Sequence, residues 1–472
     1  MQLEQIYTGC LAHGAYYITS QGEAAIVDPL REIGPYLERA KKDGVTIKYI
    51  FETHFHADFV SGHLDLAKAT GATIVYGPTA KPNFEALTAT DGQVFQLGDV
   101  KIEVLHTPGH TMESSCFLLY DETGKPTSLF SGDTLFIGDV GRPDLAQKVI
   151  AELTQEKLAS HMYDSLRTKI LPLADDIVVY PGHGAGSACG KNMSDETTDT
   201  LGHQKASNYA LQPMEREEFV AAILDGLMPP PSYFPQNVLM NIMGYPSINE
   251  VLTQGLHGYG PEAFEAKANE TGALILDTRK ADDFAKGHIP NAINIGIDGS
   301  FANWVGTLVL DIQQTLLIVA DPGREEEVVT RLARVGYDHA IGYLQGGFSA
   351  WLAQGKEVAH VETMDAADFE VLLKSYPKVQ ILDVRRASEY ASQHLPNAKN
   401  APLDYINESS KKVDPELTAY VHCAGGYRSM TFISVMKARG FHDFVNINGG
   451  MSAIKDQTSL ALTDYVEPTT ML

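Results

Sequence analysis

Thr53-His54-Phe55-His56-Ala57-Asp58 places two imidazoles and a carboxylate at alternate positions. The apolar run Tyr49-Ile50-Phe51 just before it reads as a buried strand. At a strand end, alternation points all three side chains to one side. Convergent histidines and carboxylates are metal-ligand chemistry. The bland alternative is a polar strand-to-helix loop with incidental histidines. Three further residues count against it. His110 follows Val104-Leu105-His106-Thr107-Pro108-Gly109, Asp133 follows Leu129-Phe130-Ser131-Gly132, and His183 follows Ile177-Val178-Val179-Tyr180-Pro181-Gly182. Each has the form apolar strand, glycine, ligand. The strand holds the side chain rigidly and the glycine lets the backbone come close.

The elements that must position these residues are legible around them. Ala15 to Ser20 and Ala24 to Val27 read as strands about the turn Gln21-Gly22, and Asp28-Pro29 ends the second. A helix is expected from Pro35 to Asp43, and another from Leu64 to Ala69, closed by Gly71. Strands and short helices continue to Tyr180, a β-rich α/β pattern consistent with two sheets covered by helices. This first domain spans residues 1–245. Near its end Leu227-Met228-Pro229-Pro230-Pro231-Ser232-Tyr233-Phe234-Pro235 excludes a helix interior or a central strand, so it reads as an extended linker. Tyr233 and Phe234 are expected to pack it against the first domain.

The ordered set Thr53 to Asp58, His110, Asp133 and His183 resembles the metallo-β-lactamase superfamily over roughly the first 200 residues. The resemblance implies an αββα sandwich with a metal between the sheet edges. Dinuclear members follow the aspartate with a histidine, whereas Asp58 is followed by Phe59, which cannot coordinate; one metal is therefore expected. Among mononuclear members the chain looks most like the persulfide dioxygenases. That likeness implies one Fe(II) per chain, with zinc as a substitute, held by His54, His110 and Asp133. Such a two-histidine, one-carboxylate face leaves positions open for substrate and O2. His56, Asp58 and His183 would then orient ligands or water. Gly141-Arg142-Pro143-Asp144 also resembles that family's segment after the metal aspartate; a salt-bridged surface loop is the bland alternative. Cys189, in the Gly-rich stretch Gly184 to Gly190, is either a small loop residue or a catalytic thiol that carries or protects a persulfide. Cys10 and Cys116 lie in apolar, strand-like contexts and are expected in the core.

The second half repeats itself. Leu274-Ile275-Leu276-Asp277-Thr278-Arg279 recurs as Gln380-Ile381-Leu382-Asp383-Val384-Arg385, and Gly287-His288-Ile289-Pro290-Asn291-Ala292 as Gln393-His394-Leu395-Pro396-Asn397-Ala398, both at an offset of 106. Gly346-Gly347-Phe348-Ser349-Ala350 recurs as Gly449-Gly450-Met451-Ser452-Ala453. A repeat of this length is a duplicated domain, here two small parallel α/β domains at 255–357 and 362–465. In the second copy, strand Ala419 to His422 delivers Cys423-Ala424-Gly425-Gly426-Tyr427-Arg428-Ser429 to a helix. Backbone N–H groups and the helix dipole stabilise a thiolate there, and Arg428 adds positive charge. Cys423 is the expected nucleophile. These motifs resemble the rhodanese family, which implies sulfane-sulfur transfer. In the first copy the cysteine position holds Asp321. A carboxylate cannot accept sulfur, so that copy is expected to be inactive and to serve as scaffold, dimer contact or channel wall.

The bulk properties fit a large, cytoplasmic globular protein. The 472 residues suggest about three domains. A net charge of −24 argues against nucleic acid and anionic membranes as partners. No apolar run approaches the ~20 residues of a membrane span, and the first residues lack a signal-peptide pattern. Four cysteines in so long a chain make no disulfide framework and fit a reducing compartment. Superfamily habit implies a homodimer or homotetramer. The domain order resembles persulfide dioxygenase–rhodanese fusions of sulfide detoxification. The resemblance implies oxidation of a glutathione, coenzyme A or inorganic persulfide by O2 to sulfite, with transfer through Cys423 to give thiosulfate. Two alternatives stay open: a zinc thioester hydrolase of the glyoxalase II kind, and a persulfide sensor or carrier without turnover.

Overall fold

The computed structural model describes residues 1–145, 153–191, 193–227 and 230–467. Met1–Glu250 forms one compact unit, and Val251–Leu332 with Tyr337 onward forms the second.

The first unit is built on two six-stranded sheets. In chain order the first sheet holds β1 (Gln2–Thr8), β2 (His13–Ser20), β3 (Glu23–Val27), β4 (Thr46–Glu52), β5 (Thr73–Tyr76) and β6 (Leu87–Thr88). The second runs β12-β11-β10-β9-β8-β7, from β7 (Val94–Leu97), β8 (Val100–His106), β9 (Ser115–Tyr120), β10 (Pro126–Gly132), β11 (Val178–Pro181) and β12 (Asp199–Thr200). Tyr16, Ile18, Val27, Phe51 and Val75 from one sheet meet Ile102, Val104, Phe117, Leu119 and Phe130 from the other in a shared core. Period-two alternation supplies that face, and the opposite faces take helices. The outer face of the first sheet is covered by α1 (Gly34–Asp43) through Tyr36 and Ala40, and by α2 (His63–Thr70) through Leu66. The second sheet packs on α3 (Gln155–Ser165) through Leu158, Ala159 and Met162, with Leu201 of α4 (Leu201–Ser207) and Phe219 and Ile223 of α5 (Arg216–Leu224). The αββα sandwich is therefore the observed architecture of this unit.

The expected local elements are found with small shifts. α1 and α2 each start one residue earlier than anticipated, and Gly71 closes α2 in the left-handed conformation at φ 74°. The proline-rich segment departs from expectation. Met228 and Pro229 lie outside the described residues, but Phe234 and Pro235 open a helix, α6 (Phe234–Met243), rather than completing an extended linker. A proline in the first helical turn costs nothing, because the N–H it lacks has no partner there. Tyr233 and Phe234 are buried, as expected. Cys116 is buried in β9, but Cys10 is only half-buried, in a turn between β1 and β2.

The second unit contains two five-stranded, all-parallel sheets with the same strand order. The first is β13 (Gly258–Tyr259), β17 (Ala340–Leu344), β16 (Leu316–Val319), β14 (Leu274–Asp277) and β15 (Ile293–Asn294). The second is β18 (Glu362–Met364), β22 (Phe444–Ile447), β21 (Ala419–His422), β19 (Gln380–Asp383) and β20 (Ala398–Asn400). Among the described residues no helix is long and apolar enough to cross a membrane.

Candidate metal centre and sulfur site

Four strand ends deliver the polar residues of the first unit to one place. His54, His56 and Asp58 follow β4, His110 follows β8, Asp133 follows β10 and His183 follows β11. Two glycines allow the approach. Gly132 has φ 50°, and a Cβ there would sit 2.6 Å from the Thr53 side chain. A Cβ on Gly182 would sit 2.6 Å from Asp133 Oδ1.

His54, His110 and Asp133 bring three buried ligand atoms within 4.8 Å of one another. Asp133 Oδ2 lies 3.4 Å from His110 Nε2 and 3.9 Å from His54 Nε2. The remaining ring nitrogens are spoken for. His110 Nδ1–H donates to the Arg142 carbonyl at 2.7 Å. Thr53 Oγ1–H donates to Asp28 Oδ2 at 2.8 Å, so its lone pair accepts from His54 Nδ1–H at 3.0 Å. Both histidines thus turn an unprotonated Nε2 toward Asp133. Burial, then the imidazoles of His56 and His110, hold His54 well below the usual histidine range, so it is the neutral form a cation requires. Neither oxygen of Asp133 meets a hydrogen-bond donor among the described residues. A buried carboxylate left so costs several kcal/mol, and a metal cation removes that cost. The three residues fit a mononuclear site.

His56 is turned elsewhere. Its Nε2 lies 3.1 Å from Asp28 Oδ1 and 3.5 Å from Glu52 Oε2. Burial alone would lower its pKa, but those two carboxylates raise it well above 6.5. An imidazolium has no lone pair for a metal. Asp28 also takes the Thr53 N–H at 2.8 Å and thereby fixes the start of the loop. Asn241 of α6 holds the loop's other side, donating to the carbonyls of His56 and Phe59, each at 2.8 Å.

Asp58, His183 and Cys189 form a second buried group whose atoms lie within 4.8 Å. His183 Nε2 is 3.4 Å from Asp58 Oδ2 and 3.6 Å from Asp133 Oδ1. Against the effect of burial, those carboxylates raise the imidazole well above the usual range. Burial also pushes the Cys189 thiol up to about 12, with Asp58 and Asp133 adding to it. The His183 imidazole acts the other way but does not offset them. Phe59 is fully buried, with its ring 4.3 Å from those of both His13 and His56. Arg142 is buried too. It holds Asp144 through two hydrogen bonds of 2.7 and 2.8 Å and donates to the Ala188 carbonyl, while its N–H donates to the Cys189 carbonyl. The Gly141–Asp144 segment is salt-bridged, as its bland reading held, but in the interior, where it braces both His110 and the Cys189 loop.

Asp28, Glu52, His13 and Asn241 were not singled out from the sequence. Asp28 was visible only as a strand end before Pro29. His13 sits in an apolar strand, and its Nε2–H donates to the Asp28 carbonyl at 2.9 Å. Asn241 lies far along the chain. No local spacing marks any of them.

In the second unit, the Gly426 N–H donates to Cys423 Sγ at 3.1 Å. Gly426 has φ +106° and caps the helix Tyr427–Ala438. The Cys423 residue is 1% exposed. Arg428 points its guanidinium at Glu389, with bonds of 2.5 and 2.9 Å, so most of its charge is spent on that carboxylate. Among the described residues the sulfur's hydrogen bond comes from a backbone amide, while Arg428 acts on Cys423 through space.

The comparisons agree with this architecture. The metallo-beta-lactamase superfamily model matches residues 8–183, and the rhodanese-like domain model matches residues 260–354 and 365–457. A crystal structure of a metallo-beta-lactamase from Staphylococcus aureus is 34% identical, with a TM-score of 0.63, covering 73% of this chain and 98% of that one. A hydroxyacylglutathione hydrolase of Haemophilus influenzae, GloC, is 30% identical over 207 residues, covering 39% of this chain and 85% of that protein. A probable hydroxyacylglutathione hydrolase of Schizosaccharomyces pombe is 34% identical over 164 residues, 34% of this chain; the match spans 59% of that relative's length. The chain belongs to the metallo-β-lactamase superfamily and carries two rhodanese-like domains after the sandwich.

Proposed function

We propose that this protein oxidises a low-molecular-weight persulfide with O2 to sulfite and, through Cys423, transfers sulfane sulfur to sulfite to give thiosulfate. The first step balances as persulfide, O2 and water giving thiol, sulfite and two protons. In the second, the Cys423 thiolate attacks the outer sulfur of a persulfide and releases the thiolate. Sulfite then attacks that sulfur, and the bond to Cys423 breaks with its electron pair returning to the cysteine.

The observation that carries the reading is the separation of His56 from the other ligands. Three residues, His54, His110 and Asp133, converge, while His56 is occupied by Asp28 and Glu52 and Phe59 stands where dinuclear members place a histidine. A three-ligand face suits Fe(II), which when bound supplies the redox chemistry with O2. The protein's own part is to keep His54 and His110 in the Nε2-free tautomer, to set the Asp133 carboxyl between them, and to present Cys423 to an amide cradle. His183 lies beside the second oxygen of Asp133, at 3.6 Å, and beside Asp58, at 3.4 Å. Cys189, grouped with Asp58 and His183, would meet a sulfur atom that comes to the site.

The curated relatives favour a second reading, hydrolysis of a glutathione thioester at a zinc site, for the first unit alone. Metal content after anaerobic loading, followed by O2 uptake with glutathione, coenzyme A and inorganic persulfides, separates the two. The expected result is one iron per chain and O2 uptake with at least one persulfide, abolished by chelation. Thioester hydrolysis by the zinc form, with no O2 uptake by the iron form, would replace the dioxygenase with the hydrolase. Sulfur labelling of Cys423 without any turnover would reduce the protein to a carrier.

A further inference from the structure

The inactive rhodanese-like copy forms one wall of a cleft beside the active cysteine. A cavity of about 220 Å³ is lined by Thr278, Lys280, Asp282 and Gly296 to Asp298 of the first copy, and by Gly425 to Tyr427, Asn446, Asn448 and Gly449 of the second. Gly426, on that lining, is the residue whose amide meets Cys423 Sγ. The two walls are joined at this point. Tyr427 Oη–H donates to the Gly296 carbonyl at 2.7 Å, and Ser434 Oγ accepts the Asn294 N–H at 2.9 Å. A Cβ on Gly296 or Gly299 would come within 3.1 or 2.9 Å of the Tyr427 ring, so those glycines seat the helix that follows Cys423.

The charges on the wall differ between the copies in an informative way. At the repeat offset of 106, Lys280 corresponds to Arg386 and Asp298 to Asp404. In the second copy these two pair, Arg386 Nε to Asp404 Oδ1 at 3.3 Å. In the first copy Asp298 is taken by Arg324 through two bonds of 2.8 and 2.9 Å. Lys280 is exposed on the cleft wall; its ammonium makes no direct ion pair or hydrogen bond among the described residues and acts on Asp298 only through space. Asp282, two residues on, is also exposed there, and its carboxylate has no ion pair among the described residues; the second copy has Ser388 at this position. An exposed cation without a direct ion pair, an exposed anion and a small polar volume thus stand, among the described residues, beside Gly426, whose amide meets Cys423 Sγ.

We infer that this cleft binds the thiol part of the sulfur carrier, and that the carrier is a small zwitterionic thiol of the amino-acid type. Its carboxylate meets Lys280, its ammonium meets Asp282, and its sulfur reaches Cys423. This rests on the reading of Cys423 as a sulfur carrier. The cavity lies below the ~300 Å³ at which drug-sized ligand sites begin, which disfavours coenzyme A. The transfer balances in both directions. A persulfide gives its outer sulfur to the Cys423 thiolate and leaves as the thiolate, and a free thiol takes it back by attacking the cysteine persulfide.

The test is sulfur transfer from full-length protein, persulfidated at Cys423, to cysteine, cysteamine, 3-mercaptopropionate and coenzyme A. Cysteine is expected to show a KM about tenfold below each of the others, the size of one charge-assisted contact. Lys280→Gln removes the advantage over cysteamine, and Asp282→Asn removes the advantage over mercaptopropionate, with kcat held. Both side chains are exposed, so neither change threatens folding. Lys286→Gln, on the same helix but outside the lining, preserves both preferences. Equal KM values for cysteine and cysteamine, or a preference that survives Lys280→Gln, would overturn the inference while leaving Cys423 as carrier. Failure of Cys423 to take up sulfur at all would overturn the reading beneath it and the inference together.

Discussion

Asp28 organises the candidate metal centre without being one of the three converging ligands. Its two oxygens take the Thr53 amide, the Thr53 hydroxyl and the His56 imidazolium, and its carbonyl takes His13. Through Thr53 it sets the tautomer of His54; through His56 it withdraws a would-be ligand. It does so from a left-handed backbone, at φ 49°, which a β-carbon tolerates poorly. Burial pulls against its charge, yet His56 and Thr53 hold the carboxyl below the usual range. Asp28→Asn should therefore leave a buried imidazolium with one carboxylate and unfix His54. The expected outcome is a ~10–100-fold loss of metal affinity and a loss of ~3–5 kcal/mol of stability. Metal titration and urea unfolding measure the two. Unchanged affinity would mean that His54 is oriented without Asp28. The sequence made His54, His110 and Asp133 visible because each sits at a strand end after a turn or glycine. It did not reveal Asp28, because a strand-ending aspartate before proline looks the same whether it caps a turn or braces a ligand 26 residues away.

At the scale of elements, the motifs that exposed the duplication prove to be structural. Asp277 and Arg279 form a buried bidentate pair, and Arg279 Nη2 also donates to the Gly287 carbonyl; Asp383, Arg385 and Gln393 repeat the arrangement. The histidine of each His-x-Pro-Asn-Ala stretch donates Nδ1–H to a helix carbonyl and stacks on the ring of the same residue. His288 lies 3.8 Å from the Phe284 ring and His394 3.7 Å from the Tyr390 ring. Both copies keep these contacts, although only one has a cysteine. The motifs thus report the fold, and the chemistry has to be read from the loop after β16 or β21. The stacked histidine gives a pH prediction. Burial pulls His288 down to about 4, against its hydrogen bond to Phe284. Unfolded histidine binds its proton near 6.5. The contribution is therefore whole above pH 6.5 and is lost as pH falls toward 4, by on the order of 3 kcal/mol. Urea midpoints at pH 7.5 and 4.5 should fall further for the parent than for His288→Gln. Parallel losses would place the pH sensitivity elsewhere. α6 shows the opposite limit of legibility: prolines that exclude a helix interior also suit its first turn, and only packing decides between the two.

At the scale of the molecule, the two proposed chemistries fall on two units. Their order along the chain was legible, because strand-end ligands and duplicated motifs are local features. The cleft was not, because it joins residues of two copies, Lys280 and Gly426, that no spacing connects. If sulfite is made at one site and consumed at the other, the two should come apart by substitution. Cys423→Ser removes the sulfur that accepts and donates, and leaves the residues of the first unit unaltered. With persulfide and O2 it should consume oxygen at the parent rate, yet accumulate sulfite in place of thiosulfate. Asp133→Asn removes the carboxylate between His54 and His110. It should lose metal and O2 uptake, yet still form thiosulfate when sulfite is added with persulfide. Oxygen electrode traces and chromatography of the sulfur anions follow both. Loss of O2 uptake in Cys423→Ser would mean that the persulfide reaches the metal only by way of Cys423, and the two sites would then act in series from the first step.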